Sequence, residues 1–167
     1  MFALPKLVLL FAACTTALMA GLFYSWSISV MPGIARLPDS GFLSAMQEMN
    51  RAILNPLFLL CFLGAALLLL AATFLHYSQP PTGRFWLLLA ASVLYLVGVI
   101  GVTMAGNVPL NNALDTYNLQ AASAKELADM RSSFEGAWNR LNTIRTLCVT
   151  VSVLLVIMAC LWRSEAR

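Results

Sequence analysis

The sequence predicts an all-α membrane protein, a four-transmembrane-helix bundle with a polar extramembrane helical cap and a long fourth helix. Three observations lead to this class. The chain of 167 residues is 60% hydrophobic and only 10% charged, whereas soluble domains carry about a quarter charged residues. Four stretches without Asp, Glu, Lys or Arg are long enough for the roughly 20 apolar residues of a membrane-crossing helix. A helical period over residues 123–145 also runs directly into the last stretch.

The first predicted transmembrane helix covers about 6–31, because no charged residue lies between Lys6 and Arg36. A secretory signal is the alternative, since "LLFAAC" resembles a lipoprotein cleavage site around Cys14. However, only Lys6 supplies basic charge before the apolar run, and the run exceeds the roughly 7–15 residues of a signal core. We therefore expect a retained helix.

The next segment, residues 39–51 or "DSGFLSAMQEMNR", predicts a short amphipathic helix that belongs to the cap. Asp39 or Ser40 is expected to cap its amino end. Four large apolar side chains recur on one side of this helix: Phe42, Leu43, Met46 and Met49.

The second and third transmembrane helices are predicted at about 52–76 and 84–106. The stretch "NVPLNNAL" then follows. Pro109 suits the first turn of a new helix better than the interior of the old one, which makes Asn107 or Val108 the expected junction.

The fourth helix is predicted to run over about 123–163, crossing the membrane at 142–163. Ser123 and Glu126 form the S-x-x-E pattern of a capping box. The regions 32–51 and 107–141 would then form the cap, and the whole chain, 1–167, a single membrane domain.

The arrangement of basic residues bears on orientation. Four spans place both termini and the 77–83 loop on one side. This side carries one of the seven acids and four of the ten basic residues, and the other side carries the rest. A count of basic residues alone therefore disagrees with termini inside. We nevertheless expect cytoplasmic termini in a bacterial inner membrane, because some of the arginines on the cap side are candidates for a functional site.

The composition excludes several classes of function. A dispersed net charge of +3 does not indicate nucleic acid binding. The single histidine, His76, lies at the opposite end of the second span from the cap, so metal sites and Ser-His-Asp triads are not expected. We predict no metal and no cofactor. The four cysteines lie within the spans without C-x-x-C spacing, which argues against a thiol-oxidising enzyme.

Polar and aromatic residues share one stripe of the fourth helix. At about 100° per residue, Arg131, Asn142 and Arg145 lie within about 40° of Trp138, while Glu135 is about 60° away and Asn139 about 100°. Several residues from the other helices are expected at the same end of the bundle: Tyr24, Trp26, Asn50, Arg51, Asn55, Asn107 and Asn111. Apolar walls with a few placed polar groups are typical of a ligand pocket.

Structural interpretations remain open for some of these residues. Asn107 and Asn111 can be helix caps, Trp26 and Tyr24 can belong to an interfacial aromatic belt, and Arg145 can extend towards lipid headgroups.

Four segments carry a family resemblance: "AGLFYSWSISVMPGI", "MQEMNRAILNP", "GNVPLNNAL" and "WNRLNTIRT". On these segments the sequence resembles the anthrone-oxygenase-like family of small four-helix membrane proteins. The resemblance implies oxidation of anthrones to anthraquinones, as associated with fungal members, without a bound cofactor.

The resemblance suggests roles for the candidate site residues. Arg145, Asn107 and Asn111 would stabilise negative charge on the substrate, and Glu135 is the nearest candidate base. The expected substrate-binding residues are Trp138, Asn139, Asn142, Trp26, Tyr24, Asn50 and Asn55.

The expected function is thus a membrane-embedded oxygenase that acts on a flat, hydrophobic, phenolic or anthrone-type molecule with O2. The alternative is a non-enzymatic binding or accessory protein that holds a lipid, quinone or aromatic ligand in the same pocket. A third interpretation is a structural protein whose cap binds a partner. The lipid bilayer is an expected partner in each case, and the sequence leaves a homo-oligomer open.

Overall fold

The computed structural model describes residues 4–162, and every regular element within them is a helix. There are five: α1 (Leu4–Ile34), α2 (Asp39–Ala52), α3 (Pro56–Leu75), α4 (Gly83–Asp115) and α5 (Ala124–Leu161). All except α2 are long and apolar enough to cross a membrane. The predicted four-helix membrane fold with a long last helix is therefore confirmed. The end predicted for that helix, residue 163, lies outside the described residues.

The four long helices form a ring, because α1 and α4 each pack against both α3 and α5. A third or less of each apolar segment is buried inside the protein. The outward faces carry many exposed apolar side chains, among them Leu57, Leu60, Leu63 and Leu67 of α3. Such faces suit contact with acyl chains rather than water, as expected of a multi-pass membrane protein.

Hydrogen bonds between helices stabilise the bundle interior. Lipid is as apolar as leucine, so burial of apolar surface does little to join helices in a bilayer, and packing and interhelical hydrogen bonds do more. The Tyr95 hydroxyl donates to the Phe62 carbonyl at 2.9 Å, which joins α4 to α3. The Ser152 hydroxyl donates to the Ala91 carbonyl at 2.8 Å, which joins α5 to α4.

Helix α2 lies over one end of the bundle as the cap. Its side chains Phe42, Leu43 and Met46 are fully buried and belong to a second apolar cluster with Phe134 and Trp138 of α5. The cap is also bonded to the end of α4, where the Gln47 amide donates to the carbonyls of Leu114 at 2.7 Å and Tyr117 at 3.0 Å.

Arg131 holds the turn between α1 and α2 against α5. Its guanidinium donates to the carbonyls of Ala35 at 2.7 Å and Leu37 at 2.9 Å. It also forms ion pairs with Asp39 at 3.0 Å and Glu135 at 2.8 Å. The fork of five N–H donors allows one arginine to make all four contacts.

The expected cap of α2 is wrong. The helix begins at Asp39 itself, Pro38 occupies the preceding position, and no side chain caps the amino end. Asp39 cannot act as the cap because it already lies within the helix and its carboxylate is bonded to Arg131.

A junction lies where the sequence predicts it, since a π-helical turn ends at Asn107 and an α-helical segment with Pro109 in its first turn begins at Val108. The chain nevertheless stays helical through this junction, so α4 continues to Asp115. It contains two wide π-helical turns, Leu96–Gly101 and Thr103–Asn107. The second of these ends just before Pro109, and α1 has a similar turn, Trp26–Val30, just before Pro32. A proline ring collides with the carbonyl four residues earlier in an α-helix, and a wider turn relieves that contact.

The second transmembrane helix begins at Pro56 rather than at residue 52, because α2 extends to Ala52. Asn55 caps α3, and its side-chain oxygen accepts from the Phe58 amide at 3.0 Å. At the start of α5, Ser123 and Glu126 form the predicted capping box.

Candidate functional site

Arg145 of α5 lies buried at the cap end of the bundle, with 6% of its surface exposed. Its Nη2 donates to Asn142 Oδ1 at 2.9 Å, and its Nη1 to Thr103 Oγ1 at 3.3 Å. Its central carbon lies 4.6 Å from the centroid of the Phe23 ring and 5.5 Å from that of Trp138. Two neutral oxygens and two aromatic rings therefore surround this cation.

No carboxylate among the described residues pairs with Arg145. A buried charge costs several kcal/mol unless it is compensated, and an arginine does not lose its proton in proteins. The Nε group of Arg145 has no hydrogen-bond partner in the described chain either. The surroundings of Arg145 therefore suit an anionic or electron-rich oxygen atom.

A cavity of about 90 Å³ adjoins Arg145, and we call it the inner cavity. Its apolar wall includes the aromatic rings of Phe23, Trp26, Phe58 and Trp138. Its polar lining consists of six side chains: Asn50, Thr103, Asn107, Asn111, Asn142 and Arg145. Within residues 4–162, no acidic side chain lines this cavity.

Asn107 lies in the wall of the inner cavity with 1% of its surface exposed. Neither its Nδ2 nor its Oδ1 bonds to any described group, and Asn50 Nδ2 is in the same situation. A buried polar group without a partner costs about 1–3 kcal/mol, so folded proteins contain few of them. Asn107 is thus no helix cap, and its amide is free to bond a bound molecule.

The Trp138 ring is held in a fixed position at the inner cavity. Its Nε1 donates to Asn111 Oδ1 at 3.0 Å, and its centroid lies 5.1 Å from that of Trp26. Because the Asn111 oxygen is occupied, its NH2 group is left as a potential donor. The pair of indoles gives a rigid aromatic wall next to amide donors.

Glu135 and Asn139 line a different cavity, of about 190 Å³, which we call the polar cavity. Asn142 and Ser27 also line it, and the Asn142 side chain borders both cavities. The Glu135 carboxylate is bound to Arg131 Nε at 2.8 Å. The structure therefore does not bring Glu135 and Asn139 together with the group around Arg145.

Two other candidate residues lie outside the inner cavity. The oxygen of Asn55 is used to cap α3, as described above, and the Asn55 amide donates to the Ala52 carbonyl at 2.9 Å. The Tyr24 side chain is 54% exposed on the outer face of α1. Of the eleven candidate residues, seven line the inner cavity: Trp26, Asn50, Asn107, Asn111, Trp138, Asn142 and Arg145.

Sequence reasoning missed Phe23 and Thr103, which both contact Arg145. Both could have been found from helical spacing. Phe23 lies three residues before Trp26, and Thr103 lies four residues before Asn107, so each shares a helix face with a candidate.

Comparison with known proteins bears on what this arrangement does. The model of the anthrone oxygenase family matches residues 46–155, more than half of the chain. The matched range contains most of the inner cavity, whereas Phe23 and Trp26 precede it. Neither a curated protein nor a solved structure matches the chain. The matched range contains three of the four segments that carry the resemblance, all but "AGLFYSWSISVMPGI", and the chain belongs to the anthrone oxygenase family.

Proposed function

We propose that this protein oxidises a flat, hydrophobic, phenolic molecule of the anthrone type with O2, without a metal. One observation carries the proposal: an unpaired, buried arginine and unpartnered amides face a cavity with aromatic walls. Family membership supports the oxygenase class, while the substrate and the residue roles below are our proposal.

The proposed reaction converts an anthrone and O2 into an anthraquinone and water. The ring methylene loses a proton and the carbonyl becomes an enolate. The enolate transfers an electron to O2, and the two radicals combine to form a carbon–oxygen bond and a peroxide. The peroxide takes up one proton and becomes a hydroperoxide. Loss of the second methylene proton then expels its terminal oxygen as hydroxide, which takes up the other proton to form water, and leaves the new carbonyl.

In this scheme Arg145, Asn107 and Asn111 donate to the enolate oxygen and to the peroxide. Preorganised donors in a largely apolar site stabilise developing charge far more than the same groups do in bulk water. Trp138 and Trp26 contact the ring plane, and Asn50 and Asn142 orient it. The polar groups thereby favour the charged intermediates over the neutral substrate.

The base for the first proton is water in this proposal. Stabilisation of the enolate by Arg145 lowers the pKa of the bound substrate, so a weak base suffices. Glu135 is not the base in this proposal, because it lines the polar cavity and its carboxylate is bonded to Arg131. Asn139, Tyr24 and Asn55 receive no role in binding, for the positions given above.

Replacement of Arg145 tests the proposal. Arg145→Ala in proteoliposomes should lower kcat/KM for dithranol, a phenolic anthrone, by about 10²–10³, the usual effect of removing an oxyanion donor. The measurement is oxygen uptake after subtraction of the uptake by protein-free vesicles. The matched control is Arg140→Ala, since Arg140 is exposed on the same helix and should leave the rate unchanged.

Unaltered turnover in a correctly folded Arg145→Ala protein would contradict the proposal. The wild-type protein also decides between the two classes of function. Saturable binding of a hydroxyanthraquinone without any consumption of O2 above background would assign the chain to non-enzymatic binding.

A further inference from the structure

A third cavity, of about 140 Å³, adjoins the inner cavity, and we call it the vestibule. The two share five lining residues: Asn50, Ile53, Leu54, Val108 and Asn111. The vestibule lies between the turn that joins α2 to α3 and the last turns of α4. It therefore extends the inner cavity towards the outside of the bundle.

The rim of the vestibule continues a lipid-facing surface. Leu54 is 70% exposed and lines both cavities. It is followed on α3 by Leu57 and Leu60, which are 76% and 69% exposed. Because α3 enters the membrane at Pro56, Leu54 lies where the apolar surface of the bundle begins.

The charges on the opposite rim disfavour an anion. Arg51 is paired with Asp115 at 2.6 Å and with Glu48 at 2.9 Å, so its charge is already used by two carboxylates. Asp115 and Arg51 both line the vestibule. The excess negative charge would repel an entering phenolate, whereas it would not repel a neutral molecule.

The inner cavity alone is too small to enclose the proposed substrate. At about 90 Å³ it is smaller than the roughly 300–1,000 Å³ of sites that enclose drug-sized ligands. A tricyclic molecule bound next to Arg145 must therefore reach past Leu54 into the vestibule. Ile53 and Leu54, which line both cavities, belong to the short non-helical link 53–55 between α2 and α3.

We propose that the substrate enters sideways from the bilayer, as a neutral lipid-soluble molecule, through the vestibule between Leu54 and Val108. It loses its proton only next to Arg145. This inference rests on the proposed function, because it gives the route and the protonation state of the substrate of that site.

The test compares three bulky substitutions in proteoliposomes. Leu54→Trp obstructs the vestibule, Ala35→Trp obstructs the polar cavity, and Leu57→Trp is the matched control on the same lipid-facing surface. Stopped-flow absorption follows the binding of danthron, the anthraquinone counterpart of dithranol. Val108→Phe obstructs the vestibule from its other wall and serves if Leu54→Trp does not fold.

Leu54→Trp should slow association about tenfold, since it narrows the entrance, and it should also raise Kd, since the indole takes up part of the vestibule that the bound molecule reaches. Leu57→Trp and Ala35→Trp should behave as wild type. Slower binding in Ala35→Trp alone, wild-type rates in all variants, or a changed Kd with an unchanged association rate would each overturn the lateral route.

The proposed function fails separately from the route. Danthron binding that Leu54→Trp slows, without any O2 uptake from dithranol, supports the route and overturns the oxygenase proposal. O2 uptake from dithranol, together with danthron binding that only Ala35→Trp slows, supports the oxygenase proposal and overturns the lateral route. A wild-type protein that binds no danthron overturns both.

Discussion

Asn107 and Asn142 are two buried asparagines with opposite bonding. Their exposures are 1% and 2%. Asn142 donates to the Phe23 carbonyl at 3.3 Å and to Ser27 Oγ at 2.9 Å, and it accepts from Arg145. Asn107 has no partner at either amide atom in the described chain. The same residue type at the same burial thus stabilises the fold at one position and weakens it at the other.

Replacement of each asparagine by leucine should separate the two roles. Asn107→Leu should raise the melting temperature in detergent, because it removes an unpartnered amide that costs about 1–3 kcal/mol, while it lowers activity towards dithranol. Asn142→Leu should lower the melting temperature, because it removes the hydrogen bonds that Asn142 makes with the Phe23 carbonyl, Ser27 and Arg145. A loss of stability in Asn107→Leu would instead indicate a structural role for this amide.

The angular positions on α5 predict part of the site well. Asn142 and Arg145 lie within about 40° of Trp138 on a helical wheel, and all three line the inner cavity. Asn139, about 100° away, lines the polar cavity instead. Glu135 is closer in angle, but its carboxylate is bonded to Arg131. A helical wheel gives direction and does not reveal such competition between partners.

At the scale of elements, α4 and α5 approach closely at Gly98, where α4 carries no side chain. A Cβ added at Gly98 would lie 2.6 Å from Cys148 Cβ and would also overlap the sulfur. Small residues at such crossings allow the close backbone contact on which helix association in membranes depends. The same two helices provide Thr103 and Arg145, so their separation also sets the geometry of the site.

Gly98→Ala should therefore destabilise the bundle by about 1–3 kcal/mol, as overpacking usually does. Cys148→Ala removes the colliding sulfur but keeps the colliding Cβ, so the double variant should recover only part of the loss. The measurement is thermal unfolding of all three variants in detergent. As a control, Gly136→Ala should have little effect, because nothing lies within 4 Å of a Cβ at that position. Additive losses in the double variant would exclude the contact as the cause.

Helix boundaries were predictable wherever a local signal was strong. The capping box of Ser123 and Glu126 marks the start of α5. Asn55 followed by Pro56 is a similar local signal for the start of α3. The course of α4 was not predictable, because Pro109 normally ends a helix and nothing in the sequence announces a wide turn before it. The end predicted for the third transmembrane helix, residue 106, falls in the second wide turn, and the helical path continues nine residues further to Asp115.

At the scale of the whole molecule, four crossings place the 77–83 loop and the cap on opposite sides of the membrane. The apolar length of the helices predicts this arrangement, because each stretch without charge is long enough to span the bilayer. It does not determine which side faces the cytoplasm. Our expectation of cytoplasmic termini therefore remains a prediction.

Cysteine labelling tests that orientation. In a variant with all four native cysteines replaced by alanine, Ser132→Cys in the cap region should react with a membrane-impermeant maleimide on intact cells. Ser78→Cys should react only after lysis. Both serines are exposed, so accessibility within the protein is matched. The opposite labelling pattern would place the termini outside and the cap in the cytoplasm.

The wide turns of α4 have a consequence for how the site is encoded. A π-helical turn arises where a helix holds one residue more than its α-helical path requires. If the same residues wound as a regular α-helix through one of these two turns, the part of α4 after that turn would be rotated by about 100° relative to the part before it. Asn107 would then face away from Arg145 although no residue of the inner cavity had changed. The direction of the Asn107 amide therefore depends on the extra residue that each wide turn contains, and not on the identity of any side chain.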